Sequence, residues 1–112
     1  MKDYYNIIVD LSRKKCYKDE FVCKAKLREH NKAMAKLYKM DKELNNPEGE
    51  QVLLKLLYHD DDRVIISAAM LCLKLKIPPK ETMERMMYVR DNSKDSIISF
   101  EAEMMIKERD NI

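Results

Sequence analysis

The sequence predicts an all-α chain of about six helices, the last four of them forming a short solenoid of stacked pairs. Three observations carry that expectation. The chain holds one Gly, three Pro and no Trp, which leaves too little turn material for a β architecture built on glycine hairpins. Apolar residues recur at spacings of three and four along most of the chain, the period of a helix with one buried face. And the segment from Pro47 onward repeats itself, with Asp62 recurring as Asp95 and Ala69 as Ala102, an interval in the range of helical repeat arrays. Apolar residues make up 46% of the chain and charged residues 38%, a balance suited to one folded domain spanning 1–112.

The elements follow from their breakers and caps. Asp3 caps a first helix that carries Tyr4, Ile7, Ile8 and Leu11 on one face and fades at Arg13-Lys14-Lys15. A long second helix is expected from Asp19 to Leu44, ended by the turn signal Asn45-Asn46-Pro47. Its later half is amphipathic through Ala33, Met34, Leu37, Tyr38 and Leu44, whereas Lys24 to Lys32 is mostly charged. A third helix starts at Pro47, where a missing N–H costs nothing, and buries Val52, Leu53, Leu56 and Leu57. His59-Asp60-Asp61-Asp62 breaks it and supplies the cap of a fourth, from Arg63 to Leu75, ending before Pro78-Pro79. The fifth runs from Pro79 to Val89 with a turn at Asp91-Asn92-Ser93, and the sixth from Asp95 to Arg109.

Laid over itself so that Asp62 falls on Asp95, the chain also places Val64 on Ile97, Ile65 on Ile98 and Ala69 on Ala102. Leu71, Cys72 and Leu73 fall on Met104, Met105 and Ile106, and Leu53, Leu54 and Leu56 on Met86, Met87 and Val89. Two helices per period make a solenoid whose units are 47–77 and 78–112, preceded by irregular helices over 1–46. Small residues such as Ala68-Ala69 let the preceding helix approach closely. The methionines Met83, Met86, Met87, Met104 and Met105 fill gaps at its open end, or alternatively form an adaptable binding surface.

Composition narrows the chemistry. One glycine, Gly49, excludes a glycine-rich phosphate loop or a dinucleotide fingerprint, which need several. Cys16-x6-Cys23 lacks the close spacing of a zinc pair, and the aspartate run lacks the Gly and distal Glu of an EF-hand loop, so no metal or cofactor is expected. His30 and His59 sit in no catalytic motif, and Ser67 and Ser99 lie on buried helix positions without an activating base. We therefore expect no enzyme. Three cysteines, an odd number, and no signal-peptide or membrane-spanning run fit a reduced, cytoplasmic protein.

Charge is unevenly spread. Residues 1–46 hold 12 Lys and Arg against 7 Asp and Glu, net +5, and residues 47–112 hold 10 against 13, net −3. Lys24, Arg28 and Lys32 form an i, i+4, i+8 row that would suit nucleic acid, with Tyr38 to stack on a base. Glu20 and Glu29 interrupt that face, and the sequence pI of 8.4 is modest for a dedicated nucleic-acid binder.

The stretch from His59 to Leu75, with its acidic turn, Arg63-Val64, paired alanines and Leu71, resembles the second helix of a HEAT-type repeat. The part of the chain from Pro47 onward is similar to small bacterial HEAT-like domains that include immunity proteins of toxin systems, contact-dependent growth inhibition among them. The resemblance implies a right-handed HEAT/armadillo-like solenoid, and a protein that binds and neutralises a cognate toxin rather than one that turns over substrate. It leaves 1–46 uncovered. Many delivered toxins are nucleases with basic clefts, so the expected contact is the acidic edge made by Asp60, Asp61, Asp62, Asp91 and Asp95, whose turns stack if the repeat is real. A nucleic-acid-binding or scaffold module is the alternative.

Overall fold

The computed structural model describes residues 3–77 and 79–110, and these are helical without a strand. The breaker Pro78 and the chain ends at 1–2 and 111–112 lie outside the described residues. Helix α1 (Tyr4–Ser12) begins where Asp3 accepts the Asn6 N–H, and it buries Ile8 and Val9. Further on, Asn46 Oδ1 accepts the Gly49 N–H at 2.8 Å and Pro47 opens helix α4 (Pro47–Leu56). Gly49 is required there, because a Cβ would fall 2.2 Å from the Leu44 carbonyl oxygen. Asp61 caps α5 (Asp62–Lys74). Helices α6 (Pro79–Asn92) and α7 (Ser96–Asp110) complete the chain.

Two expectations about elements are corrected. The single helix from Asp19 to Leu44 is instead three pieces: a short 3-10 turn (Lys18–Glu20), α2 (Lys24–Tyr38) and α3 (Asp41–Leu44). Glu20 folds back to accept the Tyr17 N–H at 3.0 Å while its own N–H bonds the Tyr17 carbonyl, a reciprocal cap that closes the turn on itself. At the other end the Lys74 ammonium donates to the Tyr38 carbonyl at 2.5 Å, and the backbone tightens into i→i+3 bonds at Lys39 and Met40. The second correction concerns Asp91-Asn92, which is helical. Asn92 Nδ2 donates to the Tyr88 carbonyl and the Ser93 N–H to the Val89 carbonyl, so the turn falls at Ser93-Lys94.

Helix α5 is the hub of the core. It packs against α1, α2, α4, α6 and α7, and Val64 to Ala69 with Leu71 and Cys72 are all buried. A helix surrounded in this way must be apolar on almost every side. The radius of gyration, 13.3 Å, is close to the ~13 Å of a compact globule of this size.

Helices α6 and α7 follow α4 and α5 at the interval the repeat sets. Leu53 and Met86, Leu56 and Val89, Ile65 and Ile98, and Ala69 and Ala102 are all buried. The equivalence weakens along the last helix: Leu71 is buried but Met104 is exposed, and Cys72 is buried but Met105 only half so. The caps are also out of step by one position, since α5 is capped by Asp61 whereas Asp95 caps α7. Among the described residues no helix is long and apolar enough to cross a membrane.

Candidate partner-binding surfaces

The acidic residues expected to form one edge divide into two groups. Asp60, Asp61 and Asp62 line a single shallow hollow of about 470 Å³ with Arg13, Tyr17 and His59. Asp95 is tied to the same neighbourhood through the Lys18 N–H, next in the chain to Tyr17. Burial, and after it Asp61, pushes the Tyr17 phenol above its ordinary pKa. Asp91 does not join them. It pairs with its neighbour Arg90 at 2.9 Å, near the C-terminal end of α6.

Much of this edge is already satisfied within the chain. Asp61 accepts the Arg63 N–H at 2.9 Å and two further bonds from the Arg63 guanidinium. Burial alone would raise the Asp61 carboxyl, but those Arg63 bonds and charge, with Arg13 behind them, hold it below the usual carboxylate range. Asp95 caps α7 through the Ile97 and Ile98 N–H groups and also accepts the Lys18 N–H at 2.8 Å. Of the five, only Asp60 and Asp62 keep carboxylates without a hydrogen bond or ion pair among the described residues. Asp61 and Asp95 thus position the edge, and Asp60 and Asp62 present charge from it.

The basic segment 13–20 docks beside these turns. Arg63 donates to the carbonyls of Arg13 and Lys15, at 2.7 and 3.4 Å. Lys15 is 7% exposed, and its ammonium meets Glu101 of α7 at 2.6 Å. Next along the chain, the Cys16 N–H donates to His30 Nδ1 at 2.8 Å. A backbone N–H cannot accept, so Nδ1 is unprotonated here and the imidazole is neutral. Burial first and the Lys15 charge second keep its pKa below the ordinary histidine value, against a smaller opposing pull from Glu101. His59 has a similar role at the α5 turn, accepting the Asp61 N–H at 3.0 Å. Ser67 and Ser99 spend their hydroxyls on the carbonyls of Arg63 and Arg90. Among the described residues no group of three His, Cys, Asp or Glu is placed to hold a metal ion.

One surface differs from expectation, and a second goes beyond it. Lys24, Arg28 and Lys32 all lie on α2 and all three are exposed, but Tyr38, expected to offer its ring to a base, has the Lys74 ammonium 3.4 Å from its centroid. On α6, Arg85 is sandwiched between Tyr58 and Tyr88, with centroids 4.9 and 4.3 Å away, while its Nε holds the Leu57 carbonyl. Arg85 and Tyr88 lie at i and i+3 of one helix and are legible as neighbours. Tyr58 comes from the turn after α4, and no local pattern joins it to them. No family model, curated protein or solved structure matches this chain.

Proposed function

We propose that this chain is a binding protein of the immunity type, which neutralises a cognate toxin domain in the cytoplasm by covering a basic cleft, with no turnover of its own. Its helix pairs 47–77 and 78–112 would act as a short HEAT-like right-handed solenoid, with 1–46 packed along one side. The observation that carries the reading is the construction of the α5 turn. Arg63 and His59 fix the backbone around Asp61, while Asp60 and Asp62 on either side remain uncompensated at the rim of the hollow. Carboxylates held in place before contact lose little entropy on binding and can stand where a nuclease expects phosphate. Chemistry of its own finds little support: Ser67 and Ser99 donate their hydroxyls to backbone carbonyls, and the Cys72 thiol is pushed up to about 11, chiefly by burial, far from a reactive thiolate.

The test is co-expression with any toxin domain found encoded next to this chain. Cells should die with the toxin alone and survive with both, and the two proteins should co-purify one to one. Death despite soluble expression of both would refute the reading. A nucleic-acid-binding module is the second reading, favoured by the row Lys24, Arg28 and Lys32 on α2. Filter binding to RNA and DNA at moderate salt separates the two.

A further inference from the structure

Helix α1 leaves part of its apolar stripe uncovered. Tyr4, Ile7 and Leu11, spaced i, i+3 and i+7, are each half-buried, and with Met40 from the turn between α2 and α3 they floor a hollow of about 360 Å³. A second hollow of about 190 Å³ adjoins it, sharing Leu11 and Lys36 and continuing past Ala33. Together they make a groove along the α1–α2 seam. From Tyr4 to Leu11 it runs ~10 Å, or about two helical turns.

The rim of this groove is basic. Lys36 and Lys39 border the first hollow, and Lys14, Lys32 and Lys36 the second, all four exposed. Among the described residues none of the four pairs with a carboxylate, although Glu29 and Glu43 also line the walls. Other lysines of the chain do find partners: Lys15 meets Glu101, Lys26 meets Glu20 and Lys74 meets Asp41. Four lysines against two glutamates leave a net positive rim around an apolar floor, which an occupant of opposite charge relieves.

We infer that the α1–α2 groove is a docking site for an acidic amphipathic helix of a partner protein, apolar anchors down and carboxylates flanking them. Two hollows over two turns take anchors at i, i+3 or i+4 and i+7. The floor decides against nucleic acid. Ile7, Leu11, Met40 and Ala33 offer a phosphate backbone nothing, Tyr4 is the one aromatic in the floor and is half-buried, and the nearby exposed aromatic, Tyr38, has Lys74 over its ring. This surface is separate from the acidic α5 turn, and the inference stands or falls independently of the immunity reading.

The experiment is selection from a random 16-mer peptide display library on the immobilised full chain. Enriched peptides should carry apolar residues at i, i+3/4 and i+7 with Asp or Glu between them. Their affinity should drop at least tenfold for the triple variant Lys32→Gln, Lys36→Gln, Lys39→Gln, whose exposed, uncharged replacements leave the helix folded. A scrambled peptide of the same composition should bind at least tenfold more weakly. Three results would each overturn the inference: no enrichment, selected peptides that bind the triple variant equally well, or a 20-mer of poly(U) RNA or phosphatidylserine vesicles binding more tightly than the selected peptides in a lysine-dependent way.

Discussion

The guanidinium of Arg63 stands 4.4 Å from the centre of the Tyr17 ring. That contact joins two stretches that nothing in the local sequence relates, the basic segment after α1 and the acidic turn before α5. The same guanidinium holds Asp61 and two carbonyls of the basic segment. One side chain therefore fixes both the backbone that presents Asp60 and Asp62 and the segment lying against it.

Replacing Arg63 with Met should cost about 2–4 kcal/mol in urea unfolding, because Asp61 keeps its charge in a site only 16% exposed while losing its two guanidinium bonds, with Arg13 left 4.0 Å away. Arg63→Lys should recover less than half of that loss. A single ammonium cannot serve Asp61 and two carbonyls from one plane, nor spread over the tyrosine as a guanidinium does. Full stability in Arg63→Lys would show that charge alone suffices.

Ala69 of α5 and Ala102 of α7 are both fully buried, as their equivalence in the repeat requires. Ala69→Leu and Ala102→Leu should each destabilise the fold by about 1–3 kcal/mol through overpacking, read as a lower melting midpoint. An unchanged midpoint for either would mean that the small residue is not needed where the helices meet, and the repeat would lose its packing basis.

His30 predicts a pH dependence whose sign is set by its neutral state. Its pKa is lowered in the folded protein by burial and by Lys15, with Glu101 opposing. The unfolded chain thus binds the proton more readily, and stability falls as pH drops. The contribution is complete above the unfolded value of about 6.5 and is lost as pH falls through the lower folded value. Protonation also puts a hydrogen on Nδ1, where the Cys16 N–H now donates. The melting midpoint should be level above about pH 7 and decline toward pH 5, and His30→Gln, which keeps an acceptor without titrating, should remove the decline. The depressed Asp61 carboxyl acts in a different window: its stabilisation is present above the ordinary carboxylate value and disappears only in stronger acid.

What is legible in the sequence is local. Asp3, Pro47 and the aspartates before Arg63 mark helix starts closely, because caps and first-turn prolines act on the backbone beside them. The apolar periodicity locates Leu53, Leu56, Ile65 and Ile98 in the core for the same reason. The long helix expected from Asp19 fails because its interruption depends on Glu20 reaching back to Tyr17 and on His30 accepting from Cys16, side-chain choices that helical spacing does not encode. The acidic edge is half legible. Five aspartates are visible as charge, but the partners of Asp61 and Asp95 include Arg13 and Lys18, both in the basic segment far upstream. Only the fold reveals that these carboxylates are spent. The pairing of Lys15 with Glu101, at opposite ends of the chain, is invisible for the same reason.

The central proposal is that Asp60 and Asp62 steer a basic partner onto the α5 turn. The most direct measurement is the association rate with the candidate toxin domain, followed by stopped flow across a salt series, for the wild type and for Asp60→Asn/Asp62→Asn. Asp61 is left intact because it is the helix cap. Rim charges act mainly on encounter, and their reach shrinks from about 10 Å at 0.1 M salt to about 3 Å at 1 M. The double variant should associate about 3–10-fold more slowly at low salt, with a flatter salt dependence and an unchanged melting midpoint. An unchanged rate for that variant, with the loss appearing instead in Lys24→Gln/Arg28→Gln/Lys32→Gln, would contradict the account and move the contact to the basic face of α2.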